Sequence, residues 1–234
     1  MNNRERIIST VLCKDVDRLP FNFVFGPWGE TIERWRGEGL KEDKEWDSDF
    51  GFDPGFIIAE VNLGYYPPFA YEIIEEKDNS LIIKDTFGIL QEVRKHGSSI
   101  PRYLDYPVKN MKDWRKLKEE RLDPNSFERF PGNWNELINQ YNEGDKIVQL
   151  GTYPFGLFGT LRDMMGVEEL LVAFYEQPEL IHEMMDYLTE FWIAIYSKVC
   201  KEVKVDAIHI WEDMSGKTGS LISPKMIREF MMPN

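Results

Sequence analysis

His209 stands inside an otherwise apolar run, Asp206-Ala207-Ile208-His209-Ile210-Trp211, and two carboxylates, Glu212 and Asp213, follow directly. An imidazole next to two acids can relay a proton or ligate a metal ion. On a β-strand alternate side chains share a face, so His209 and Trp211 point one way and Ile208 and Ile210 the other. The same residues also fit a hydrogen-bonded core histidine followed by two solvated loop acids. Glu60, in Phe56-Ile57-Ile58-Ala59-Glu60-Val61, is a second unusual acid, because burying an unpaired carboxylate is costly. An ion pair with Arg34 or Arg162 accounts for it as well as a functional role does. Asn22, Trp28, Glu30, Asn62, Gln149, Tyr153, Arg162 and Asp163 complete the polar and aromatic set at or just beyond apolar runs.

The stretch Gly151-Thr152-Tyr153-Pro154-Phe155-Gly156-Leu157-Phe158-Gly159 suits either a close backbone approach to a ligand or simply a turn. Tyr153 within it could line a pocket or pack over one. No Gly-x-x-x-x-Gly-Lys, Cys-x-x-Cys, His-Glu-x-x-His or Gly-x-Ser-x-Gly motif occurs. His96 and His182 carry no assignable role, and the paired methionines read as core.

These residues need a frame. Four β-prone apolar runs are expected as buried strands: Phe21–Phe25, Phe56–Val61, Ile147–Gly151 and Asp206–Trp211. Helical spacing covers 3–12, 30–38, 108–122, 134–141, 161–165, 167–176 and 178–200. Ser223-Pro224 opens a further helix, with serine at the cap and proline in the first turn. Residues 71–95 differ: two apolar-polar runs around Lys77-Asp78-Asn79-Ser80 and a third over 86–93 predict an antiparallel β-meander. The meander is expected as part of an insertion over about 71–130.

Strands alternating with helices imply a parallel sheet. No Gly-x-Gly-x-x-Gly follows the first run, which disfavours a dinucleotide-binding fold. The expected class is α/β, a (β/α)8 TIM barrel. Such a barrel needs eight strands and typically ~250 residues, and four units with an insertion already fill this chain. About the first four βα units are therefore expected in a single incomplete domain, 1–234. In a barrel the reacting groups lie at the C-terminal strand ends, which is where the polar set above falls.

The chain has 234 residues and a net charge of −13, from 28 Lys and Arg against 41 Asp and Glu. A pI near 4.8 argues against nucleic acid and anionic membranes as partners. With 42% hydrophobic residues the chain can fill a sizeable core. Its apolar runs fall well short of the ~20 residues that span a bilayer. The first residues lack a signal-peptide pattern, and two cysteines fit a reducing cytoplasm.

The opening Asn3-Arg4-Glu5-Arg6 through Asp17-Arg18-Leu19-Pro20-Phe21-Asn22-Phe23 resembles the start of the uroporphyrinogen decarboxylase superfamily. Val205–Gly216 is similar to that family's fourth-strand motif, and Ile222–Pro233 to its Ser-Pro…Phe…Pro helix start. The resemblance runs over most of the chain, as the N-terminal two-thirds of such a protein, and implies a (β/α)8 barrel entered at the strand C-termini. The decarboxylases carry Arg-Gln-Ala-Gly-Arg after strand 1, where this chain has Phe25-Gly26-Pro27-Trp28-Gly29-Glu30-Thr31. Their aspartate after strand 2 is unmatched in Ala59-Glu60-Val61-Asn62, and their tyrosine beyond strand 3 falls near Thr160. A tetrapyrrole with eight carboxylates is a poor match to an acidic, arginine-poor mouth.

The resemblance is closer to the cobamide-dependent methyltransferases of the superfamily. These move a methyl group between a corrinoid (cobalamin-type) cofactor, often on a corrinoid protein, and a thiol or tetrahydrofolate. The expected catalytic residues are His209, Glu212 and Asp213, with Asn22, Glu60, Asn62, Tyr153 and Arg162 binding substrate. The zinc motif of the thiol-using members, His-x-Cys on strand 5 plus a later cysteine, would lie beyond Asn234. His209-Ile210-Trp211 is not that motif, since tryptophan cannot replace a thiolate. A decarboxylase or lyase acting on another acid and a non-catalytic barrel fragment are the rival expectations. Open sheet edges would favour self-association into a homo-oligomer.

Overall fold

The computed structural model describes residues 1–22, 26–41, 46–97 and 99–234. Helix α1 (Asn3–Val11) starts in a capping box: Asn2 accepts from the Glu5 amide while the Glu5 carboxylate accepts from the Asn2 amide. From it Arg6 reaches Asp17 with two hydrogen bonds of 2.8 and 2.9 Å. Arg18 grips Asp53 with Nη1 at 2.7 Å and with Nη2, and the Phe21 amide donates to the same carboxylate at 2.8 Å. The Asp17-Arg18-x-Pro20 motif is thus a clamp that fixes the opening segment to the start of the sheet.

That clamp sets an acid dependence. The Arg18 hydrogen bond, helped by the Phe21 amide, holds the Asp53 carboxyl down to about 2. A carboxylate lowered in the fold stabilises it fully above its unfolded value of about 4, and that contribution is lost as pH falls toward 2. Asp53→Asn is expected to start less stable at pH 7 and to show a flatter decline between pH 4 and 2 than the parent. Parallel melting-temperature curves for the two proteins over that range would contradict it.

Strands β1 (Phe56–Ile58), β6 (Ile147–Leu150) and β7 (Ala207–Ile208) form a parallel sheet in the order β1-β6-β7. Between β1 and β6 runs the antiparallel meander β2 (Glu72–Glu76), β3 (Ser80–Lys84), β4 (Leu90–Arg94) and β5 (Arg102–Asp105), with strands paired in chain order. Its fourth strand is an addition to the three expected. Two short helices, α2 (Gly29–Gly37) and α3 (Trp46–Asp49), precede β1, and the meander is followed by helices α4 (Met111–Arg121) and α5 (Trp134–Glu143). After β6 come α6 (Leu157–Met165), α7 (Val167–Glu176) and the 25-residue α8 (Pro178–Glu202). Past β7 the chain makes a small hairpin at 215–220, then the expected helix as a Ser223-capped turn that passes into a π turn over Ile227–Met231. Among the described residues no helix is long and apolar enough to cross a membrane.

The registers Ile58 with Gln149 and Gln149 with Ala207 sort the sheet residues by face. Ile57, Ala59, Val148 and Leu150 pack on Leu137 and Tyr141 of α5 and on Val199 and Val203 at the end of α8. Phe56, Ile58, Gln149 and His209 share the opposite face. Val148 and Leu150 are fully buried, while Phe56 and Ile58 are 38% and 44% exposed. The apolar runs therefore do not make strands buried on both faces; helices cover one side only. Two strands are also shorter than their runs. Ala59 still donates to Gln149 O and His209 to Leu150 O, and then the chains leave the ladder for loops. The expected strand Phe21–Phe25 falls in part outside the described residues; Phe21 and Asn22 are not in a strand, and the Phe21 ring stacks on Phe52 at 4.3 Å.

The larger core lies outside the sheet. Leu180, Ile181, Met184, Met185, Leu188, Phe191 and Ile195 of α8 bury one stripe against α4, α6 and α7. This bundle and the sheet together hold the loops at the C-terminal strand ends.

Candidate functional site

The glycine-rich loop after β6 is shaped by the backbone that follows β7. Gly151 has φ 77°, and a β-carbon there would overlap the His209 carbonyl oxygen. A β-carbon on Gly156 or Gly159 would overlap the Trp211 carbonyl oxygen. The Trp211 amide donates to Phe155 O at 2.9 Å, so residues 209–212 lie directly on the loop. Close approach is what these glycines provide, and the approaching group is the protein's own chain.

Glu212 ends that segment at the first turn of α6. Its carboxylate accepts from the amides of Leu157 at 2.7 Å, Phe158 at 2.8 Å and Gly159 at 3.2 Å. Three orphan donors of the helix start are satisfied by one acid, which also meets the positive end of the helix dipole. Burial raises its pKa above the ordinary carboxylate value, against the pull of those three donors. Both oxygens are engaged, so Glu212 holds the mouth together.

Asp213 turns outward and pairs with Arg162 of α6, Nη1 to Oδ2 at 2.6 Å. Arg162 lies 3.8 Å from Asp163 on its other side. The Tyr153 hydroxyl donates to Asp163 Oδ2 at 3.5 Å. Burial lifts the Asp163 carboxyl to about 6, and it lifts the Tyr153 phenol to about 12 with the Asp163 charge adding to it. The Tyr153 ring meets Trp211 edge-on at 5.3 Å, and the His209 and Trp211 rings lie parallel at 6.1 Å.

Tyr153, Trp211 and His209 wall one end of an open cleft of ≈ 480 Å³ along the uncovered sheet face, with Ile58, Gln149 and Asn22 further in. Asn22 donates its amide to Asp53 O at 3.3 Å, and its Oδ1 is buried without a hydrogen-bond partner among the described residues. Asp47, Asp53 and Lys146 are the charged groups on the described lining, and no arginine is among them. Of the residues singled out in the sequence, Asn22, Tyr153 and His209 thus meet in one cleft, with Glu212 behind it and the Arg162–Asp213 pair beside it.

Glu60 and Asn62 are not on that lining. Glu60 is exposed, and its amide donates to the Tyr141 hydroxyl at 3.0 Å. Neither expected partner pairs with it, since Arg34 pairs with Glu38 and Arg162 with Asp213. Asn62 shapes the turn after β1, accepting from the Gly64 amide at 2.8 Å and donating to Tyr65 O at 3.3 Å. That turn is held by a residue sequence reasoning passed over. Arg129, 1% exposed, donates to the carbonyls of Asp123, Asn62, Gly64 and Arg121. Among the described residues no three His, Cys, Asp or Glu side chains converge as a metal site.

Residues 52–234 match the uroporphyrinogen decarboxylase (URO-D) family, and the chain belongs to it. The match takes in the resemblance at 205–216 and 222–233 and leaves the opening segment outside. A methyltransferase from Methanosarcina mazei has a similar structure, with TM-score 0.54 and 15% identity over 99% of this chain. The chain spans 64% of that protein's length, and the likeness shows a shared fold. No curated protein matches the sequence significantly.

Proposed function

We propose that this protein transfers a methyl group between a corrinoid and a thiol or tetrahydrofolate acceptor, as a cytoplasmic methyltransferase of the URO-D family. The observation that carries the reading is the aromatic lining of the cleft, which among the described residues holds no arginine. A polycarboxylate tetrapyrrole needs cations, whereas flat or weakly charged reactants gain from the edges and faces of Tyr153 and Trp211. A cleft of ≈ 480 Å³ admits a thiol or a pterin; a corrin with its side chains is larger and would lie across the mouth, presented by a corrinoid-carrying partner. The parallel sheet is proposed as the first part of a (β/α)8 barrel, which accounts for the helices on one face and the open cleft on the other. Family membership and the methyltransferase fold neighbour support the same assignment.

His209 on the cleft wall also suits a second reading, a lyase that protonates the carbon left by CO₂ loss from a smaller acid.

The test is turnover of methylcob(III)alamin by the protein with a panel of thiols and with tetrahydrofolate. Demethylation is expected, slowed roughly two- to tenfold in Trp211→Ala, as follows from losing a stacking ring worth ~0.5–1.5 kcal/mol. No demethylation with any acceptor, alongside CO₂ release that His209→Ala abolishes, would move the assignment to the lyase.

A further inference from the structure

Asp163, on α6 beside the mouth, pairs only loosely with Arg162, at 3.8 Å. Its side chain is 21% exposed and borders a small inner cavity with Tyr65, Trp192 and the two residues after Tyr153, Pro154 and Phe155. Tyr153 itself is half exposed in the cleft, with its hydroxyl aimed back at Asp163 Oδ2. One phenol therefore connects the open cleft to a sheltered carboxylate.

We propose that Asp163, acting through Tyr153, takes up the proton that the methyl acceptor releases in this cleft. The inference rests on the methyl-transfer reading. As the acceptor's sulfur or nitrogen bonds to the methyl carbon, its S–H or N–H bond breaks. The carrier that gave up the methyl keeps the electron pair of the broken bond. The freed proton moves to the Tyr153 oxygen while the Tyr153 proton moves to Asp163 Oδ2, so the phenol ends neutral and the carboxylate protonated.

The charges around Asp163 suit that task. Arg162 on the same helix, itself tied to Asp213, favours the ionised carboxylate; Asp85 at the end of β3 opposes it. Tyr65, Tyr103 and Tyr106, from the loop after β1 and from the meander end, also feel the Asp163 charge. Burial outweighs these and leaves Asp163 near 6, ionised at neutral pH and still basic enough to accept a proton. Tyr153, near 12, stays protonated and serves as a relay rather than a store. The 3.5 Å separation is long, as such contacts commonly are before a reactant closes the site.

The test uses protein labelled at the tyrosine ζ-carbons, with the Tyr153 signal assigned through Tyr153→Phe. That signal is expected to shift with a midpoint near pH 6 and to lose the transition in Asp163→Asn. A flat Tyr153 signal between pH 5 and 8, or a transition that survives in Asp163→Asn, would overturn the proposal. In methylcob(III)alamin turnover with a thiol, Asp163→Asn is expected to be slowed about a hundredfold or more at pH 7 and to lack the acid limb near pH 6, following the usual size of general-base effects. A wild-type rate and an unchanged acid limb in Asp163→Asn would also overturn it. Absence of turnover in the wild type would count against methyl transfer itself, whereas the tyrosine titration reads the Tyr153–Asp163 coupling independently.

Discussion

Arg129→Met is expected to cost on the order of 3–5 kcal/mol in urea-denaturation stability, the range for removing one member of a buried charged network. The guanidinium sits 4.6 Å from the centre of the Phe191 ring and gives hydrogen bonds of 2.6–3.2 Å to four carbonyl oxygens. Methionine fills much of the volume but donates to none of those oxygens, of which Arg121 O keeps the Tyr66 amide at 2.9 Å. Because Asn62 and Gly64 belong to the turn after β1, and Arg121 and Asp123 to the end of α4 and the segment just past it, the loss would separate that turn from the α4 end. Arg129→Lys should recover only part of the stability, since a point-like ammonium cannot span the planar set of acceptors. A midpoint for Arg129→Met within a few tenths of a molar of the parent would contradict this account.

Glu212→Ala is expected to lose about 2–4 kcal/mol, since three amides at the start of α6 lose their acceptor and a buried space opens. Glu212→Gln should fall between the two, because one amide oxygen can still accept while its NH₂ faces donors. The loss should reach the cleft as well, because residues 209–212 lie on the glycine loop that carries Tyr153. Near-UV circular dichroism of the Trp211–Tyr153 pair is the readout, alongside thermal unfolding. Full stability and an unchanged aromatic spectrum in Glu212→Ala would leave Glu212 free for chemistry and refute its structural role.

Much of the frame was legible because helical periodicity is a local property. The α8 stripe from Leu180 to Ile195 can be counted off directly, and the meander announces itself through turn residues. Strand β5 escaped because Arg102-Tyr103-Leu104-Asp105 carries charges at both ends and exposes every residue. Alternation showed that His209 and Trp211 share a face, but which face required the register with Gln149 and Ile58. The glycines of 151–159 signalled a close approach without naming the approaching group, which is 55 residues further on at the Glu212–Leu157 contact. Arg129 left no local mark, since a charged residue in Ser126-Phe127-Glu128-Arg129 reads as solvated, and only the fold reveals four carbonyls converging on it. Asp163 stood among the polar residues noted at the outset, yet its shelter comes from Tyr65, Phe87 and Trp192, which are distant in the chain.

The central claim, that this cleft serves methyl transfer and not tetrapyrrole decarboxylation, is tested most directly by giving one preparation both reactants. Methylcob(III)alamin with a thiol or tetrahydrofolate should be demethylated, and uroporphyrinogen III should release no CO₂, because the described lining offers its carboxylates no arginine. CO₂ release from uroporphyrinogen III with methylcob(III)alamin left intact would contradict the account.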